Sequence, residues 1–175
     1  MDDIVRQAMA KWPQVPSCYA WLALDDRGDW YLRDARTQAL GDFDSGLPGT
    51  KGAVLRHEGL LAFIARNYGP DPEGCWYFQN GPQRVFVDLQ STPLIARLND
   101  DGSAQDHLGR ALDWHRAWLD ETGRLYLQAQ TLALVHTLDM HLAADWVASG
   151  RMDPQPVTRA ELPRRFGFQR RPRPH

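Results

Sequence analysis

The stretch that most constrains the fold is residues 75–98, CWYFQNGPQRVFVDLQSTPLIARL, the densest apolar and aromatic run in the chain. Trp76 and Phe78 fall on one face of an extended segment, with Cys75 and Tyr77 on the other. Past the turn, Val85, Val87 and Leu89 alternate with Arg84, Phe86 and Asp88. Alternation over such short spans marks half-buried strands. Asn80-Gly81 is a strong two-residue hairpin signal. Pro82, however, stands where the closing amide donor would be needed and has none, so the expectation is a longer loop, Asn80 to Gln83. Thr92-Pro93 ends the second run. LIARL (94–98) then begins another strand, stopped by Asn99-Asp100-Asp101-Gly102.

The flanking segments suggest what packs on this hairpin. Residues 2–12 read as a short helix with Asp2 and Asp3 at its positive end, stopped by Pro13 and Pro16. CYAWLALDDRGDWYLRD (18–34) reads as a hairpin around Asp25-Asp26-Arg27-Gly28. Two longer helices are predicted. One spans 53–68, with Leu60, Leu61, Ile64 and Tyr68 at helical spacing. The other spans 130–149, with Leu132, Val135, Leu138, Leu142 and Trp146 on one stripe. Residues 103–119 fit either a helix or a strand, and extended structure is favoured from about 111. DETGRLYL (120–127) repeats the pattern of DDRGDWYL (25–32), acid, acid, x, Gly, x, apolar, Tyr, Leu, each preceded by Ala-Trp-Leu. The repeat records either a duplicated hairpin or the general suitability of acid-rich glycine turns.

These elements predict an α+β fold. Its sheet would be a mostly antiparallel, meander-like one of about six to eight strands, with the two helices on one face. The chain of 175 residues suits one domain over 1–160. Residues 161–175 would form an Arg/Pro-rich tail, partly docked or disordered, that Phe166 and Phe168 could anchor. That tail carries five arginines against Glu161, in a chain whose net charge is only −2, so the preceding body is acidic. An acidic body suits a phosphate backbone poorly, which leaves the tail as the one plausible, weak contact with nucleic acid. No window reaches the roughly 20 apolar residues of a membrane span. MDDIVRQAMAKWP has acids where a secretory leader has bases, so a cytoplasmic location is expected.

Most of the candidate chemistry fails at named positions. GDFDSGLPGTKG (41–52) lacks the Gly-Lys-Ser/Thr order of a phosphate loop. His57-Glu58 lacks the second histidine of a zinc protease, because Leu61 stands there. On a helix over 130–149, His136 and His141 point roughly 140° apart, and only His141 with Asp145 could share an ion. Cys18 and Cys75 are too few for a disulfide scaffold and read as small buried hydrophobes. Ser45, and Cys75 with His57, are weak nucleophile candidates. RVFVDL (84–89) brushes an RNA-binding signature but carries Leu89 where Asn or Gly belongs. What remains is one face, Arg84, Phe86 and Asp88, where charges bracket an aromatic ring.

WYFQNGPQRVFVDL (76–89), the Thr-Pro pair after it and AWLDETGRLYL (117–127) resemble a family of functionally uncharacterised bacterial proteins, found mainly in proteobacteria. The likeness implies no activity, substrate or catalytic residue. The expectation is therefore a non-enzymatic domain that binds a protein partner or self-associates, without cofactor or metal. The alternative is a small-ligand-binding protein or enzyme with its site around Arg84, Phe86 and Asp88.

Overall fold

A computed structural model describes residues 2–174. The chain divides into two compact units. The first comprises residues 1–25, 29–90 and 168–175; the second comprises 26–28 and 91–167.

In the first unit, β1 (Cys18–Leu24), β2 (Trp30–Leu32), β3 (Ala53–Val54), β4 (Tyr68–Pro70), β5 (Trp76–Asn80) and β6 (Gln83–Leu89) form one sheet in the order β3-β2-β1-β6-β5-β4. Every pairing is antiparallel except β1 with β6. Helix α1 (Asp3–Lys11) begins where its acids suggested, a five-residue helix α2 covers Ala35–Ala39, and α3 (Glu58–Asn67) packs Phe63 edge-on against Phe78 of β5. Trp30, Tyr68 and Trp76 form a chain of ring contacts at 5.0 and 4.8 Å. Leu22, Leu24, Ile64, Val87 and Leu89 are all buried with them. Each fully buried side chain of this kind contributes about 1.5–3 kcal/mol.

The second unit holds β7 (Leu94–Leu98), β8 (Ala104–Asp106), β9 (Arg116–Leu119), β10 (Leu125–Gln128), β11 (Leu132–Val135) and β12 (Gln155–Pro156), ordered β12-β9-β10-β11-β7-β8. The pairs β11–β7 and β12–β9 are parallel. Helices α4 (Met140–Ala148) and α5 (Leu162–Phe166) complete it, with a single 3₁₀ turn at Thr137–Asp139. The architecture is thus α+β, but the expected single meander is replaced by two mixed six-stranded sheets. α3 and α4 belong to different units and do not share one face. Parallel partners such as β1 and β6 lie about 65 residues apart in sequence, so no local pattern announces them.

Local expectations fail for identifiable reasons. The helix predicted over 130–149 opens with a strand, because LALV is buried at all four positions and such a run satisfies either period. The helix predicted over 53–68 starts only at Glu58, where the His57 ring accepts a hydrogen bond from the Leu60 amide. At the 76–89 hairpin the loop is two residues, not four. Asn80 pairs with Gln83, and the turn slides one place to Gly81-Pro82, with Gly81 at φ +55°. Pro82 then sits where no amide is required. The extended structure favoured from about 111 is found in β9, and the segment 103–111, left open between helix and strand, holds β8.

One loop recurs through both units: an Asp or Asn head, two residues, a glycine and a closing residue. It appears at residues 25–29, 71–75, 99–103, 106–110 and 120–124, in each case with the head amide bonded to the closing carbonyl. Four of the heads also accept the closing amide on their carboxylate. The glycine holds a left-handed φ, +84° at Gly28 and +80° at Gly123, as a three-residue hairpin loop with a bulge demands. The 25–32 and 120–127 segments share more than this loop. Tyr31 and Tyr126 each donate a hydroxyl to the head carboxylate, at 3.3 and 2.7 Å.

Candidate functional site

The face anticipated on β6 is built as the alternation implied, but its members serve different ends. The exposed Arg84 lies over the Tyr77 ring at 4.9 Å. Phe86 is buried, stacked on Tyr19 at 4.7 Å and an interplanar angle of 7°. A register shift in β1 between Cys18 and Leu22, where Ala20 has φ +62°, sets Tyr19 for that contact. Asp88 is 2% exposed and lies between two guanidiniums, Arg173 at 2.8 Å and Arg33 at 3.5 Å. Burial pushes its carboxyl above the usual range, against the pull of both arginines. Arg33 is itself buried and also donates to the carbonyls of Thr50 and Gly41, so the 41–52 loop wraps a cation and not a phosphate.

The C-terminal arginines complete this arrangement in the first unit. Phe168 is buried, the Gln169 amide donates to Gly74, and the Arg170 carbonyl accepts from Leu89. Arg170 and Arg171 then pair with Asp44, Arg171 with Asp42 at 2.7 Å, and Arg173 with Asp88.

A different constellation occupies the second unit. A cavity of about 680 Å³ is lined by Trp114, His115, Arg116, Trp118, Arg151 and Arg165, with Asp153 and Gln155 also on its wall. Its position follows from β9, where Arg116 and Trp118, two residues apart, share one face of the strand: Arg116 is exposed, while Trp118 is buried and donates its indole N–H to Gln128. Arg116 and Arg165 both lie over the Trp118 ring, at 5.6 and 4.1 Å. α5 carries Arg165 into place, and Phe166 meets Trp118 edge-on. Trp114 stacks on Trp146 at 5.9 Å, and Arg151 covers Trp146 at 5.6 Å. Arg151 also fills the space above Gly102, where a β-carbon would fall 1.8 Å from its Nη1.

Among the described residues, none of Arg116, Arg151 and Arg165 has a carboxylate within ion-pair distance, whereas Arg97, Arg110 and Arg124 of the same unit all do. A guanidinium stacked by its face on an indole keeps its N–H edges for a planar or tetrahedral anion. The volume lies within the span of small-ligand pockets. Sequence reasoning missed this site. The three arginines are scattered from β9 to α5 with no spacing rule, and the seven tryptophans of the chain are their one signal.

The remaining candidates are used structurally. His136 accepts from the Leu138 amide, His141 contacts the Leu138 carbonyl, and Asp139 binds Arg97 and the Leu98 amide. Burial opposes the charge on Asp139, but those bonds hold its carboxyl below the usual range. Asp71, Glu73 and Cys75 bring their ligand atoms within 4.8 Å of one another. Asp71 heads a hairpin loop, however, and burial, helped by the two acids, pushes the Cys75 thiol up to about 11. It is therefore a thiol and not a thiolate at neutral pH. No helix among the described residues is long and apolar enough to cross a membrane.

No curated protein matches the chain. Among solved structures, a DUF1285 family protein from Silicibacter pomeroyi DSS-3 is similar with a TM-score of 0.48 and 12% identity, over 83% of this chain and 84% of that one. A second DUF1285 family protein, from Shewanella baltica OS155, gives a TM-score of 0.43 and 10% identity, over 71% and 91%. The profile of family DUF2944, described as "Protein of unknown function (DUF2946)", matches residues 1–173. The resemblance to an uncharacterised family is borne out, and the protein belongs to that DUF2944 family.

Proposed function

We propose that the protein is a binding module whose second unit takes an anionic ligand carrying a planar ring, held in the Arg116–Arg151–Arg165 cavity. One observation carries the reading. Three guanidiniums lie over tryptophan rings around one cavity and, among the described residues, none has a carboxylate within ion-pair distance, Asp101 beside Arg151 and Glu161 beside Arg165 acting only from further off. Arginine remains charged throughout the accessible pH range and presents paired donors to phosphate or carboxylate. The half-buried Trp114 supplies a ring beside them for stacking. The sheet face of Arg84, Phe86 and Asp88 is the weaker place for a ligand, because Phe86 is covered by Tyr19 and Asp88 already faces two cations.

Calorimetric titration of the full chain with ADP, inorganic pyrophosphate and adenosine tests the proposal. ADP is expected to bind tightest and adenosine weakest. Arg165→Ala should weaken ADP roughly tenfold, the loss of one charge-assisted contact. Absence of heat from all three at millimolar concentration would overturn it. So would equal binding by wild type and Arg165→Ala.

A further inference from the structure

The cavity of the second unit has one carboxylate on its wall, and that carboxylate pairs with none of the three arginines beside it. Asp153 is exposed, and among the described residues its carboxylate takes one hydrogen bond, from Gln155 Nε2 to Oδ2 at 3.2 Å. Its place is set by the run into β12. Alternate residues of an extended segment fall on one side. Arg151, Asp153 and Gln155 accordingly line this cavity, while Met152 is buried and Pro154 lines a neighbouring one. Gln155 then pairs with Trp118, the ring beneath Arg116 and Arg165. The wall thus carries a cation, an acid and an amide in turn, with two further cations beside them.

Three open guanidiniums by themselves favour the ligand of densest charge. An ionised carboxylate among them repels a second anionic group and offers about four lone-pair positions to donors. Gln155 occupies one of these. We infer that Asp153 is the specificity-determining residue of the cavity. It accepts hydrogen bonds from N–H or O–H groups on the uncharged part of the ligand, so that a nucleotide is taken in preference to a bare anion. The inference rests on the anion-binding reading above and adds to it the residue that tells ligands of like charge apart.

Calorimetric titration of the full chain and of full-length Asp153→Ala with ADP and inorganic pyrophosphate tests it. The side chain is exposed, so the substitution leaves the fold in place. It removes an acceptor and a repelling charge together, and the two ligands should therefore move in opposite directions. ADP should weaken roughly tenfold, the loss of hydrogen bonds to a charged group. Pyrophosphate, which has neither sugar nor ring, should tighten about twofold to fivefold, the worth of one exposed charge contact. Mere loosening of the wall would weaken both ligands alike and leave the ratio of their affinities unchanged.

A third ligand, 2′,3′-dideoxy-ADP, identifies the donors. Indifference of its binding to Asp153→Ala assigns them to the sugar hydroxyls, and a loss equal to that of ADP assigns them to the ring amino group. Either result supports the inference. A ratio of ADP to pyrophosphate affinity that does not fall in Asp153→Ala would overturn it, and with both ligands bound by wild type the anion-binding reading would stand. Failure of wild type to bind either ligand would overturn both.

Discussion

Two groups of arginines do opposite work, one set against carboxylates in the first unit and one set against tryptophans in the second. Arg33, Arg170, Arg171 and Arg173 each meet an aspartate, and Arg33 with Asp88 does so at 2% exposure. Arg116, Arg151 and Arg165 lie on Trp118 and Trp146 at the wall of a cavity. A guanidinium whose charge is matched inside the protein holds the fold. One whose face is covered and whose edges are open is available to a ligand. The residue type is the same, and the neighbour decides the role.

The largest effect expected from breaking this contrast is at Arg33. Arg33→Ala leaves Asp88 buried with one cation fewer and orphans the Thr50 and Gly41 carbonyls. Loss of about 3–5 kcal/mol is expected, as when one partner of a buried pair is removed, and urea denaturation measures it. A loss below about 1 kcal/mol would show that the pair is peripheral to folding.

Acid sharpens the contrast from the other side. In the second unit His107 accepts from the Ile95 amide, and its Nε2 is out of contact with solvent. Burial holds the ring down to about 4, against Asp106, which pulls upward, and with Arg110, which pushes the same way as burial. An unfolded histidine titrates near 6.5, so below that pH the unfolded chain binds a proton that the native chain refuses. Stability should therefore fall by about 3 kcal/mol as pH drops from 6.5 to 4, following about 1.4 kcal/mol per unit. His107→Asn, which keeps an acceptor for Ile95, should flatten that slope in denaturation curves taken across the range. A slope unchanged by the substitution would assign the acid sensitivity elsewhere.

Legibility in the sequence tracked how local each feature is. α1, the 18–34 hairpin, the 76–89 hairpin and β7 were all readable, because alternation and turn residues lie within a few positions of one another. β11 was read as helix since four buried apolar residues in a row carry no period. Strands of two or three residues, such as β3 and β12, are set by their partners and leave almost no trace. The division into two mixed sheets depends on parallel pairings between distant strands, which alternation cannot reveal. At the β6 face the pattern correctly put Arg84, Phe86 and Asp88 in alternation. It could not show that Tyr19 covers Phe86, or that Arg33 and Arg173, from opposite ends of the chain, neutralise Asp88. The second-unit cavity was invisible for the same reason, its arginines being joined only through the packing of β9, α4 and α5.

The smallest effect on stability separates the two uses of arginine most sharply. Arg165 is exposed, and Arg165→Ala should change unfolding free energy by no more than about 0.5 kcal/mol, as surface substitutions do. The decisive measurement is therefore a paired one: unfolding free energy and ADP affinity in Arg33→Ala and Arg165→Ala. A crossed result is expected, with Arg33→Ala losing stability and keeping affinity while Arg165→Ala keeps stability and loses roughly tenfold in affinity. If Arg165→Ala instead unfolds easily and binds ADP as wild type does, the tryptophan-backed arginines are part of the scaffold, and the cavity is not a ligand site.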